Sequence, residues 1–521
     1  MPKDLSRLEA RRVAGQDLLG LRTHRENNYN SWHKRIQVTD YLYDGNWAAL
    51  YPDESIRIDS PMVMNIVQTE MDDISTLAAE SDPSVRIWPR KDTKAAKDKS
   101  YILESIGENY WDKNQGRETE TELTLDLVGS GACFVVIEED QKDGFPCFRR
   151  IDPRMAYPNV FRNKIFDLFV VQEMDIEAAR QVFDKFSTLY GDNIPHDRAD
   201  GVEVWEFYSE KECAQALCLT KGGKPVEDTP EIIHRWTPKR NPVAFSRLPS
   251  YDGAFRGMFD QIGGSLMAKN RLVKLMLDYA DQGIYASMVS KGLLNDEEIP
   301  GPMAHYRLDP NVPDAQIGRM QPATSNPQLY GLLDFLDSEQ RAGTAYPQSR
   351  HGEVSQSIAS AAFVNSTMGQ LTSVVRKVQR MVGRVREQVL EIAFEVDRTG
   401  AGKDKTRYLR RPVGQKNSYI PEKDIPEDVY VQVVYGAGAG LDAMAADTRV
   451  LQHLGAKLIS KETAREHIDY IPEDAEEGDR ITQEDLQDAM MGRFLEQADW
   501  QTIAGVFDAM ENGEDITKAI T

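Results

Sequence analysis

Between residues 357 and 397, Leu371, Val374, Val378, Met381, Val385, Val389, Ile392 and Val396 recur in steps of three and four. That spacing marks one face of an α-helix. At about 1.5 Å per residue such a segment spans roughly 60 Å, well past the roughly 8–20 residues of an ordinary globular helix. A compact α+β enzyme seldom accommodates it. The expectation is an elongated subunit whose helices find partners in neighbouring copies. Gly369 and Gly383 are candidate bends.

The rest of the chain is read around this element as α+β, predominantly α. Helices are predicted at 4–46, 61–80 and 93–128. The period then changes: 132–140 and 145–153 are β-rich runs joined by Lys142-Asp143-Gly144, a hairpin signature. Further strands are predicted at 202–209, 215–220 and 231–236. Helical spacing returns over 255–285. The Gly263-Gly264 pair costs roughly 1 kcal/mol per glycine, which moves the expected helix start past 264. Six prolines between 300 and 327 exclude a long helix there. A short helix at 328–342, a polar loop at 345–356, a strand at 427–435 and a helical tail from 441 complete the reading.

Charge is distributed unevenly. The 521 residues hold 84 acids and 62 bases, a net −22. Residues 441–521 alone hold 19 acids and 7 bases, whereas 355–386 hold five bases and no acid. A general nucleic-acid binder normally carries a basic surface, so the balance argues against one; an acidic wall would still let a duplex slide past it. On the long segment Arg376, Arg380 and Arg384 form one row, and Glu387, Glu391 and Glu395 a second. This order opposes the helix dipole, which favours acids first, by up to about 1 kcal/mol per charge. A solvated face, contacts between adjacent subunits and direct DNA contact are the three readings of these rows.

Catalytic motifs are missing. GAGAG at 436–440 places Leu441 where a dinucleotide loop needs its third glycine, and no P-loop, H-E-x-x-H, G-x-S-x-G or EF-hand pattern occurs. Acidic clusters such as Glu138-Glu139-Asp140 sit beside turns and read as solvated charge. Cys133, Cys147, Cys213 and Cys218 form no C-x-x-C pair and read as reduced thiols. No apolar run approaches the ~18 residues of a membrane helix, and no signal-peptide pattern opens the chain. The expectation is a protein that is not an enzyme, needs no cofactor or metal, and stays in the cytoplasm that makes it.

Several segments, in their order, resemble the portal proteins of tailed bacteriophages. PMVMNIVQTEMDDISTLAAESDPSVRIWP and GSGACFVVIEEDQKDGFPCFRRIDPRMAYP resemble the portal wing. YDGAFRGMFDQIGGSLMAKNRLVKLMLDYADQ resembles the first stem helix, and HGEVSQSIASAAFVNSTMGQL the tunnel loop and the start of the helix behind it. The resemblance implies a wing at 1–255 and 398–440 and stem helices at 256–285 and 326–345. It places a clip at 286–325, a tunnel loop at 346–356, a long wing helix at 357–397 and a crown at 441–521.

It further implies a homo-oligomeric ring, usually of twelve subunits, at the capsid vertex of the virion. Double-stranded DNA would pass through that ring during packaging and ejection. The major capsid protein, the terminase large subunit and a head-tail adaptor protein would be its partners, and the membrane would not. Gln348, Ser349, Arg350 and His351 become candidate tunnel-loop contacts to DNA, although alone they read as an ordinary surface loop. Lys269, Arg271 and Lys274 become candidate stem-channel bases. Arg376, Arg380, Arg384, Glu387, Glu391 and Glu395 become candidate inter-subunit groups. The rival expectations are another virion component, such as a capsid or tail-tube subunit, and a nucleic-acid enzyme.

Overall fold

The computed structural model describes residues 15–52, 66–79, 83–88, 93–140, 142–161, 163–191, 194–195, 199–226, 229–284, 288–291, 309–314, 316–319, 328–344, 361–413, 416–435, 451–456 and 481. Half of the described residues are helical and a quarter lie in strands, a mixed α and β composition with helix in excess. Two units are distinguished: 1–79 with 85–433, and 80–84 with 434–521. Of the second unit little is described beyond a helical turn at 451–455.

The first unit opens with helix α1 (Gly15–Tyr43), the short α2 (Trp47–Leu50) and α3 (Ile66–Ala79), followed by strand β1 (Ser84–Ile87). The single helix predicted over 93–128 is in fact two, α4 (Lys94–Lys113) and α5 (Gly116–Ser130). The break has a physical cause. Asn114 turns its amide onto the Tyr110 and Pro146 carbonyls and accepts from the Phe148 N–H. Gln115 then takes a left-handed conformation, φ 53°. Gly116 packs so closely on Trp111 that a β-carbon there would overlap the indole.

Strand β2 (Ala132–Glu139) lies between β3 (Pro146–Ile151) and β10 (Val243–Arg247) in a three-stranded antiparallel sheet. Its apolar run is buried on both faces. Cys133, Val135 and Ile137 enter the core formed with α5, while Phe134 and Val136 enter a second core with Trp32 and Phe245. The alternation follows from the two-residue period of a strand.

A larger antiparallel sheet holds β4 (Ala156–Phe161), β5 (Lys164–Met174), β6 (Gly201–Ser209), β7 (Cys213–Lys221), β8 (Lys224–Pro225) and β9 (Glu231–Trp236). Two short helices, α6 (Ile176–Val182) and α7 (Phe186–Tyr190), connect β5 to β6. Strands β4, β5 and β10 were not predicted. Helix α1 is tied to this sheet by Arg22, whose guanidinium lies 2.6 Å from the buried Glu203 carboxylate. All four cysteines are free thiols, and Cys147 is exposed.

Next comes an excursion: α8 (Gly263–Ile284), β11 (Met288–Lys291), β12 (Gln316–Arg319) and α9 (Gln328–Thr344). Helix α8 begins at the glycine pair itself rather than beyond it. Upstream, Gly257 lies against the Gly129 and Val128 carbonyls, and the Met258 N–H bonds to Val128 O at 2.8 Å. That contact holds the approach to α8 out of helical conformation.

The long helix α10 runs unbroken from Ala361 to Thr399, through both candidate bends. Beyond it lie β13 (Arg407–Val413), β14 (Lys416–Tyr419), α11 (Pro421–Asp424) and β15 (Val431–Val434). One expectation is corrected here. Helix α10 does not wait for neighbouring copies to cover its apolar stripe: Val375, Val378, Val382, Val385, Val389 and Ile392 are buried with Met71, Ile74, Leu123 and Leu127 of the same chain. Arg386 is buried as well, 3.3 Å from Glu120 and 4.6 Å from the centre of the Trp111 ring. Among the described residues no helix is long and apolar enough to cross a membrane.

Candidate functional site

Helices α8 and α9 are antiparallel. Gly343 packs on Ile262, and Lys269 meets Asp337 and Gln340. Farther out, Met288 pairs with Arg319 and Lys291 with Gln316. Partner numbers fall on one arm as they rise on the other, so α8 with β11 and β12 with α9 form the two antiparallel arms of a hairpin.

The root of this hairpin is polar. Lys269 is buried, ion-paired to Asp337 and 3.4 Å from Gln340 Oε1. Glu70 of α3 faces the same spot at 1% exposure. Burial pushes its carboxyl up to about 7, although hydrogen bonds from Thr344 and Gln340 and the charge of Lys269 act the other way. Its Oε2 atom has no hydrogen-bond partner. Tyr51 Oη donates to Met267 O at 2.5 Å, and the Lys274 ammonium lies 5.4 Å from the centre of the Trp47 ring. Of the three stem bases singled out from sequence, Lys269 and Lys274 are therefore buried at the root, and Arg271 is exposed.

Periodicity puts Leu275 on one apolar face with Leu266 and Leu272, but only the latter two are buried, and part of the hairpin's exterior is apolar. Leu275 and Leu277 of α8 are 56% and 42% exposed; Tyr330, Leu332 and Phe335 of α9 are 59%, 46% and 57% exposed. The antiparallel register sets Leu275, Leu277, Tyr330 and Leu332 at one height, with Phe335 about one turn nearer the root. Leu275 and Leu277 lie roughly 200° apart around their helix, as do Tyr330 and Leu332, so the belt faces more than one side.

On α10 the two charged rows separate. Arg376, Arg380 and Arg384 are exposed. The acidic row is engaged within the chain: Glu387 Oε1 accepts from the Val433 N–H at 3.0 Å, and Glu391 lies 3.2 Å from Arg240. Glu395 is half-buried on a cavity of about 760 Å³ that Arg149, Tyr208, His234 and Trp236 also line. Within that cavity Arg149 lies 2.7 Å from Glu206, and Tyr208 Oη donates to Glu138 at 2.8 Å. Gln348, Ser349, Arg350 and His351 lie outside the described residues. Among the described residues no group of three or more His, Cys, Asp or Glu gathers as a metal site would.

Sequence reasoning missed Glu70, the Lys269–Asp337 pair and the apolar belt. Glu70 stands four residues from both Ile66 and Ile74, on the apolar stripe of α3 that Asp72 and Asp73 avoid, and that position was the available signal. The run Leu-Met-Leu at 275–277 was the signal for the belt. Comparison with protein-family models and with characterised proteins finds no match for this chain.

Proposed function

We propose that this chain is the subunit of a phage portal, a closed ring through which double-stranded DNA is packaged and ejected. The observation that carries the reading is the apolar belt on the helical hairpin. Five large apolar side chains spread around the hairpin within about two turns of helix cannot all be covered by a single flat contact. A two-sided belt suits a head-to-tail interface, in which each copy is flanked by one neighbour on each side; such an interface closes into a ring when the rotation allows. Their exposure in the isolated subunit marks a surface meant for protein contact rather than for water.

The hairpin's plan agrees with a stem carrying a clip, and the order of segments resembles that of portal proteins. In this reading the ladder end of the hairpin, within 286–325, would receive the terminase large subunit and later the head-tail adaptor. The remaining body would meet the major capsid protein at the vertex. The ring is a passage and a docking platform with no reaction of its own, located in the virion.

Native mass spectrometry with negative-stain electron microscopy of the purified protein tests this. Rings with a central channel are the expected result. A monodisperse monomer that resists assembly at high concentration would overturn it.

A further inference from the structure

We infer that the exposed face of α10 and the ground at its two ends form a nucleic-acid backbone site that uses bases other than those singled out in the tunnel loop and stem. Arg376, Lys377, Arg380 and Arg384 are exposed on one stripe of this helix. At about 1.5 Å rise per residue they span roughly 12 Å. The stripe sits in the stretch 355–386, which lacks any acid in a chain of net charge −22.

Each end of the stripe runs into a concavity with an exposed tyrosine at its edge. Lys377 lines a hollow of about 440 Å³ with Tyr251 and the Asp252–Arg256 ion pair, and Tyr251 is fully exposed. Arg384 lines a groove of about 350 Å³ with Lys164, Arg240 and Tyr430, the last 67% exposed; Glu387 and Glu391 of the same groove are held by the Val433 N–H and by Arg240. A row of cations between two exposed aromatic rings fits a polyanion that also carries flat apolar groups. Guanidinium groups bind phosphate oxygens with paired N–H donors, and exposed aromatic rings stack on unpaired bases.

An acidic surface of a second copy is the competing occupant. The acidic row of this same helix, its nearest candidate, is already engaged with Val433 and Arg240 of its own chain. The inference does not depend on ring formation, because a monomer presents the same face.

The test uses the full-length chain and a fluorescein-labelled duplex of random sequence, followed by anisotropy between about 50 and 200 mM salt. The Arg380→Glu/Arg384→Glu double variant is expected to bind at least about tenfold more weakly, with a salt slope smaller by about 2. Tyr251→Ala is expected to weaken a single-stranded oligonucleotide about tenfold and the duplex less. Assembly of each variant is read in parallel by native mass spectrometry. Unchanged isotherms overturn the inference. So does loss of assembly with undiminished DNA binding, which would assign the face to subunit contacts.

Discussion

The Arg407 guanidinium lies 2.6 Å from the carboxylate of Asp397, at the end of α10. Asp397 is fully buried, and its other oxygen accepts from Tyr110 at 2.5 Å and from Tyr419 at 3.1 Å. Burial raises the Asp397 carboxyl above the usual carboxylate range, against the hydrogen bonds from the two tyrosines and the charge of Arg407. Arg407 also donates to Gly144 O at 2.7 Å. One carboxylate thus joins α4, α10 and the β13–β14 hairpin.

Removing one member of such a buried pair leaves the other charge without compensation, which costs about 3–5 kcal/mol. Asp397→Ala is expected to destabilise the subunit by that amount, measured by urea unfolding. Tyr419→Phe, which removes a single hydrogen bond, is expected to cost about 1 kcal/mol. Equal losses for the two variants would remove Asp397 from its central position.

Glu70 makes a pH prediction whose sign follows from its raised carboxyl. In the folded protein it titrates at about 7, against an ordinary value of 4.5. The folded state holds the proton more tightly, so this contribution to stability is fully present below about pH 4.5 and is lost as pH rises through 7. At 1.36 kcal/mol per unit the loss amounts to about 3 kcal/mol. Asp126, pushed up to about 6 mainly by burial, has the same sign, so a difference curve is needed. Wild type minus Glu70→Gln is expected to decline between pH 5 and 8. A flat difference in unfolding free energy would show that Glu70 titrates normally.

On α10, Val385→Ala empties a fully buried position. Loss of its buried methyl groups and the cavity left behind are expected to cost about 2–3 kcal/mol. The exposed Arg384→Ala, one residue away, is expected to change stability by less than about 0.5 kcal/mol. Thermal unfolding of the pair measures the contrast between the two faces of one helix.

For assembly, Leu275→Glu and Phe335→Glu place charge in the apolar belt. Both positions are more than half exposed in the subunit, so folding of the monomer should survive by circular dichroism. Under the portal reading, loss of rings is expected for either substitution on native mass spectrometry. Intact rings for both would place the subunit contact elsewhere.

What the sequence determined by itself is local. The three-and-four spacing of valines and isoleucine along 357–397 dictates a helix, because only a 3.6-residue period collects those positions on one face. The Lys142-Asp143-Gly144 turn sets the hairpin of β2 and β3 for a similarly local reason, and Gly144 has a φ of 66°. The break at Asn114-Gln115 was not legible, because it is made by Pro146 and Phe148, more than thirty residues downstream. Strands β4 and β5 were missed because Pro158 lies inside the first and their apolar positions make no regular two-residue alternation.

The tertiary structure alone decided which charges are buried. Arg384 and Arg386 are two positions apart and identical in chemistry, yet one is exposed and the other lies against Glu120 and Trp111. Lys269 became the core of a hairpin root through Asp337 and Gln340, some seventy residues away. Period tells which side of a helix a residue occupies; what stands opposite that side is a property of distant chain. A charge enters the interior where the distant chain supplies a counter-charge, as Asp337 does for Lys269, or an aromatic face, as Trp47 does for Lys274, since desolvation otherwise opposes it.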